Sequence, residues 1–167
     1  AFSTIASVYM VRRVLAAARA LGLGLKIHAD EMEELGGAAL AGELGAVSAE
    51  HLIATGTLGM NALAKGGVIA VLLPGTSFYL NKEYARAGEM ISRGIPVAIG
   101  SDYNPGSCPS FNLQFCVNLA YLRYRLTPEQ ILTAVTLNAA CALGRGERTV
   151  TIEPGKQAAL VIWEAPD

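Results

Sequence analysis

Four short, largely apolar segments recur along the chain with helical stretches between them, and this rhythm constrains the fold more than any other feature. The segments are Leu23–Ala29, Ala46–Leu52, Val68–Leu73 and Pro96–Gly100, the third apolar throughout. Apolar strands of this kind are buried on both faces, as in a parallel sheet covered by helices. Between them, helices are expected over Ala6–Leu21, Gly37–Leu44, Thr57–Lys65 and Lys82–Arg93. Each is followed by glycine: Gly22, Gly45, Gly66-Gly67 and Gly94. Glycine takes the left-handed conformation that ends a helix. Strands alternating with helices make the chain α/β. A doubly wound sheet and a (β/α)8 barrel both fit the rhythm.

The pattern changes after Asp102. A helix is expected over Asn112–Arg125. Another begins after Thr127, where Pro128 and Gln130 complete a capping box, and runs to about Leu143. The tail Thr149–Trp163 reads as a turn at Pro154-Gly155 and a strand over Ala158–Trp163, assigned to a separate small sheet. The expected division is therefore 1–148 and 149–167.

Composition removes several function classes. At 167 residues, with 52% hydrophobic and 16% charged side chains, the chain can build a core. The net charge is −1 and basic residues are scattered, so nothing supplies the cationic face that nucleic acid requires. The apolar run Val68–Pro74 falls far short of the ~20 residues that span a bilayer. Ala1–Val8 lacks the basic start and cleavage site of a signal peptide. The cysteines Cys108, Cys116 and Cys141 are odd in number, with no pair at C-x-x-C spacing, which fits free thiols in the cytoplasm.

Three of the four strands run into residues that bind metals or move protons. Lys26-Ile27 leads into His28, with Asp30 and Glu31 following. Ser48-Ala49 leads into Glu50 and His51. Ala98-Ile99-Gly100-Ser101 leads into Asp102. In parallel α/β folds the C-terminal ends of strands carry the active site. Taken singly, each residue reads as a satisfied histidine, a solvated carboxylate or a turn residue. Together they point to a metal or catalytic site, although the spacing selects neither metal nor reaction.

The segment KIHADEMEELGGAALAGELGAVSAEHL resembles the fifth and sixth strand region of the imidazolonepropionases. VIAVLLPG resembles their seventh strand, and IPVAIGSDYNPGSCP their eighth strand and its loop. LTPEQILTAVTLNAACALG and IEPGKQAALVIW are similar to the closing helix and return strand of the wider amidohydrolase superfamily. The resemblance implies the C-terminal half of a (β/α)8 metal-dependent hydrolase barrel plus a strand of a small accessory β-sheet. It implies one divalent metal ion, Zn2+ or Fe2+. By position, His28 and Asp102 match metal ligands, and Asp102 also handles the proton of the attacking water. Glu31 matches a residue that contacts the substrate ring, and His51 one that positions water or carbonyl. Asn104, Gly106 and Ser107 match the loop that holds substrate. The implied reaction opens 4-imidazolone-5-propionate with water to N-formimino-L-glutamate.

The family's His-x-His pair on the first strand is not in this chain, and Ala159 replaces an aspartate common in the superfamily's return strand. A barrel takes ~250 residues, and four strand–helix units supply half of one. The chain is thus expected to be a piece of a longer protein, inactive alone, with a small-molecule substrate and a homodimer expected of the whole. Two other readings stand beside this one. A guanine or other cyclic-amidine deaminase shares the His-x-x-Glu pattern, and a non-catalytic half-barrel would serve as an assembly module.

Overall fold

The computed structural model describes residues 8–162 and 164. Four strands form one sheet: β1 (Lys26–Ala29), β2 (Ser48–His51), β3 (Ile69–Leu72) and β4 (Val97–Ile99). All are parallel and lie in chain order, β1-β2-β3-β4. That order decides between the two architectures the rhythm allowed. A doubly wound sheet reverses strand order at a switch point. Successive crossovers of one hand without reversal put every helix on the same face, as in a barrel. The chain is α/β, with four consecutive units of a (β/α)8 barrel.

The helices are α1 (Val8–Ala20), α2 (Gly37–Leu44), α3 (Thr57–Gly66), α4 (Pro74–Tyr79), α5 (Ala87–Ser92), α6 (Leu113–Leu122), α7 (Pro128–Val135) and α8 (Leu137–Ala142). The expected helices over 37–44 and 57–65 form nearly as read, and the Thr127–Gln130 capping box is complete. α2 and α3 pack backbone to backbone: a Cβ on Gly42 would lie 2.2 Å from the Ala62 carbonyl oxygen.

The strands are shorter than their apolar segments. The helix expected over Lys82–Arg93 begins only at Ala87, and α4 fills Pro74–Tyr79 just after β3. Proline is well placed in a first helical turn, whose N–H groups need no intrahelical partner. The helix expected to run from Thr127 to Leu143 is two helices. Thr136 leaves helical geometry (φ −116°, ψ −86°), with its hydroxyl donating to Leu132 O at 2.6 Å. Residues 158–162 form no strand. A strand needs a partner ladder, and no described segment pairs with them.

Register gives the sheet two unlike faces. Ala49, Ala70 and Val97 share the helix-covered side with Leu72 and Ile99, all buried in the main core. The opposite face carries the rows Lys26–Ser48–Ile69 and His28–Glu50–Val71–Ala98. α8 lies under the N-terminal ends of the strands. Its Asn138 donates to Val97 O at 2.8 Å, and Lys26 Nζ donates to Ala142 O at 2.6 Å and Ser48 Oγ at 3.1 Å. Ser48 in turn donates to Glu50 Oε1.

Candidate active site

Two of the three strand ends singled out in the sequence, those of β1 and β2, come together. His28 Nδ1 and His51 Nε2 are 3.1 Å apart, and Glu31 Oε2 lies 3.9 Å from His51 Nε2. Ligand atoms of His28, Glu31 and His51 all lie within 4.8 Å of one another. Alternation along β2 assigns His51 to the helix-facing side with Ala49. Its backbone is left-handed instead (φ 70°), as is that of Leu52 (φ 58°), and the ring lies against His28. Non-glycine residues in this conformation are strained and concentrate at functional sites.

His51 is buried, 3% exposed, and its Nδ1 has no hydrogen-bond partner. Burial holds its pKa below the ordinary 6.5, outweighing the Glu31 and Asp102 carboxylates that pull the other way, and His28 adds to the lowering. The neutral imidazole is the form that ligates metals. Two imidazoles and a carboxylate suit a divalent zinc or iron(II) ion, so this donor set fits the group the resemblance implies.

Asp102 is not one of that trio, although its carboxylate is near enough to act on His51. Its backbone is also left-handed (φ 54°), and its Oδ2 accepts a hydrogen bond from Thr76 Oγ1 at 2.5 Å. Thr76 lies on α4, the helix that the sequence reading missed; the signal was Pro74-Gly75-Thr76 immediately after an apolar strand.

The loop after Asp102 is organised by Asn104. Its Oδ1 accepts from the Gly106 and Ser107 N–H groups (2.9 and 2.8 Å). Its Nδ2 donates to Asp102 O and Ser107 Oγ (2.8 and 2.7 Å). Both ends of the Asn104 amide are thereby engaged within the loop that the resemblance matched to substrate holding. Ser107 Oγ accepts from Asn104, which leaves its own hydrogen to donate outward.

Asp30 is a structural carboxylate. It is buried, and it accepts from Leu35 N, Gly37 N, Ala38 N and Thr55 Oγ1 at 3.0–3.2 Å, tying the start of α2 to the loop after β2. Glu50, beside His28 on the inner face, is held by Ser48. Among the described residues no helix is long and apolar enough to cross a membrane.

Known proteins resemble this chain over most of its length. The model of the Amidohydrolase family matches residues 1–167. Imidazolonepropionase of Caldanaerobacter subterraneus subsp. tengcongensis is 51% identical over 156 residues, 93% of this chain and 38% of that protein. Imidazolonepropionase of Bacillus velezensis is 54% identical over 157 residues, 93% of this chain and 37% of the relative. The chain thus spans less than two-fifths of the relatives it matches. An adenosine deaminase from Xanthomonas campestris, solved with bound zinc, superposes with a TM-score of 0.77 at 25% identity, covering 88% of this chain and 38% of that one. The parallel strands in chain order, the polar cluster at their C-terminal ends and the family match over the full length lead to one assignment: the chain belongs to the amidohydrolase family.

Proposed function

We propose that the protein carrying this chain hydrolyses the cyclic amide 4-imidazolone-5-propionate to N-formimino-L-glutamate, in histidine catabolism. The observation that carries this reading is the convergence of His28, Glu31 and His51 at strand ends, in a chain about half identical to imidazolonepropionases. We place the protein in the cytoplasm, with a small-molecule substrate, no nucleic-acid or membrane partner, and a homodimer as its assembly.

One divalent ion, zinc or iron(II), would be held by His28 and Asp102 with ligands from outside this chain, and His51 and Glu31 lie close enough to His28 to join them. When bound, such an ion polarises a carbonyl and acidifies water, and a lactam is unreactive enough to need both. Asp102, held at one oxygen by Thr76, takes the proton of the attacking water at the other and returns it to the leaving ring nitrogen. His51, kept neutral by burial, orients the water or the carbonyl. Glu31 accepts a ring N–H. Ser107 donates its remaining hydrogen to the propionate carboxylate, and Gly106, without a side chain, lets that group approach the backbone. Asn104 presents both by closing the loop.

The test is Asp102→Asn in the whole protein, assayed on imidazolone-propionate and, separately, on guanine. The expected result is loss of lactam turnover with the melting temperature kept. Near-normal turnover of the variant would sink the reading, and turnover of guanine alone by the unaltered protein would replace it with a deaminase.

A further inference from the structure

No strand dictates the orientation of Asp102, which lies beyond the end of β4. Its backbone is left-handed (φ 54°), so alternation along β4 does not set where the side chain points. Contacts from two separate parts of the chain hold it. The carbonyl accepts from Asn104 Nδ2, within its own loop, at 2.8 Å. The carboxylate accepts from Thr76 Oγ1, from the helix that follows the neighbouring strand β3, at 2.5 Å.

The approach of that helix is tight. A Cβ on Gly75 would lie 2.7 Å from Cys108 Sγ and 3.3 Å from Ser101 O, so only glycine lets the first turn of α4 press against the loop after β4. Thr76 itself is 1% exposed. Its β-branched side chain has few rotamers open to it. An O–H donated to a carboxylate is a short, strong, directional bond.

We propose that Thr76 is a positioning residue: its hydroxyl fixes Oδ2 of Asp102 and thereby directs the other carboxylate oxygen toward the His28–Glu31–His51 group. This rests on the role of Asp102 proposed above. The neighbouring buried hydroxyl, Ser77 Oγ, has no hydrogen-bond partner and does not take over the bond.

The experiment compares Thr76→Val, which keeps the shape and removes the donor, with Thr76→Ser, which keeps the donor. Both are made in the whole protein, and kcat, KM, melting temperature and the crystallographic orientation of the metal-free Asp102 carboxylate are measured. The expected result for Thr76→Val is a kcat lower by ~10–100-fold, a KM within ~3-fold and a rotated Asp102 carboxylate, with Thr76→Ser within ~3-fold of the unaltered protein. Undiminished kcat with an unmoved carboxylate in Thr76→Val overturns the proposal. So does a Thr76→Ser variant as slow as Thr76→Val, which would make the methyl group the important part. Should Thr76→Val fail to fold, Thr76→Ala takes its place: Thr76→Ser fast and Thr76→Ala slow supports the proposal, and equal rates overturn it. If the unaltered protein does not open the lactam, the functional reading fails, and the orientation of Asp102 in the variants still decides on Thr76.

Discussion

His28 and His51 meet ring against ring, Nδ1 to Nε2 at 3.1 Å, although strand register sets His51 opposite Ala29. In the folded protein His51 resists protonation, because it is buried and has His28 beside it. In the unfolded chain it titrates near its ordinary 6.5. As pH falls below that value, the unfolded state takes up the proton first. This residue's contribution to stability is therefore intact above that pH and is lost as pH falls toward the lower folded pKa. After metal is removed with a chelator, stability measured by urea unfolding should fall from about pH 7 to about pH 5 more steeply in the unaltered protein than in His51→Gln. Equal slopes would contradict the assignment.

Asp30 is predicted to matter for folding. Its carboxylate gathers three backbone N–H groups and the Thr55 hydroxyl. Asp30→Ala leaves buried donors unpaired, at a cost of ~2–4 kcal/mol in a denaturant titration. The folded fraction of the variant should retain turnover per molecule; a stable but inactive variant would move Asp30 into the chemistry.

Two of the helical glycines, Gly42 and Gly88, should respond in opposite ways to alanine. At Gly42 the added methyl collides with the Ala62 carbonyl, 2.2 Å away, and α2 must separate from α3. Overpacking of this kind costs ~1–3 kcal/mol or more. At Gly88, in α5, nothing lies within 4 Å of the added carbon. There alanine should stabilise by ~0.5–1 kcal/mol through its better helix propensity. Melting temperatures of the two variants give the comparison directly.

Ser107→Ala tests the proposed carboxylate contact. Loss of one hydrogen bond to a charged group corresponds to a KM raised by roughly 10–100-fold for imidazolone-propionate. An analogue without the carboxylate should bind unaltered protein and variant alike. A uniform effect on both substrates would place Ser107 in loop structure only.

Much of this was legible in the sequence, since glycine after each helix and chemistry-bearing residues at strand ends are local signals. Gly45 and Gly67 both cap helices in the left-handed conformation. What escaped was tertiary. The inner face was written in β1 and β2 as Lys26 alternating with His28, and Ser48 with Glu50, but the shortness of the strands masked the period. Thr76 sits between an expected strand and an expected helix, in a stretch given no element of its own, and its partner Asp102 is distant in sequence. Asn104 has a local explanation, since asparagine followed by Pro-Gly closes its own loop, and that bonding takes up both ends of its amide. The break at Thr136 comes just before Asn138, whose amide reaches Val97 O, a contact that helix propensity cannot foresee.

The left-handed backbone at His51 and Asp102 has a practical consequence for anyone engineering this protein. Glycine adopts that conformation freely, and a histidine or an aspartate does so at a cost. A library screened only for heat resistance or soluble yield does not see what those two side chains do, and is free to discard them. Selection on such a scaffold has to read turnover in every round.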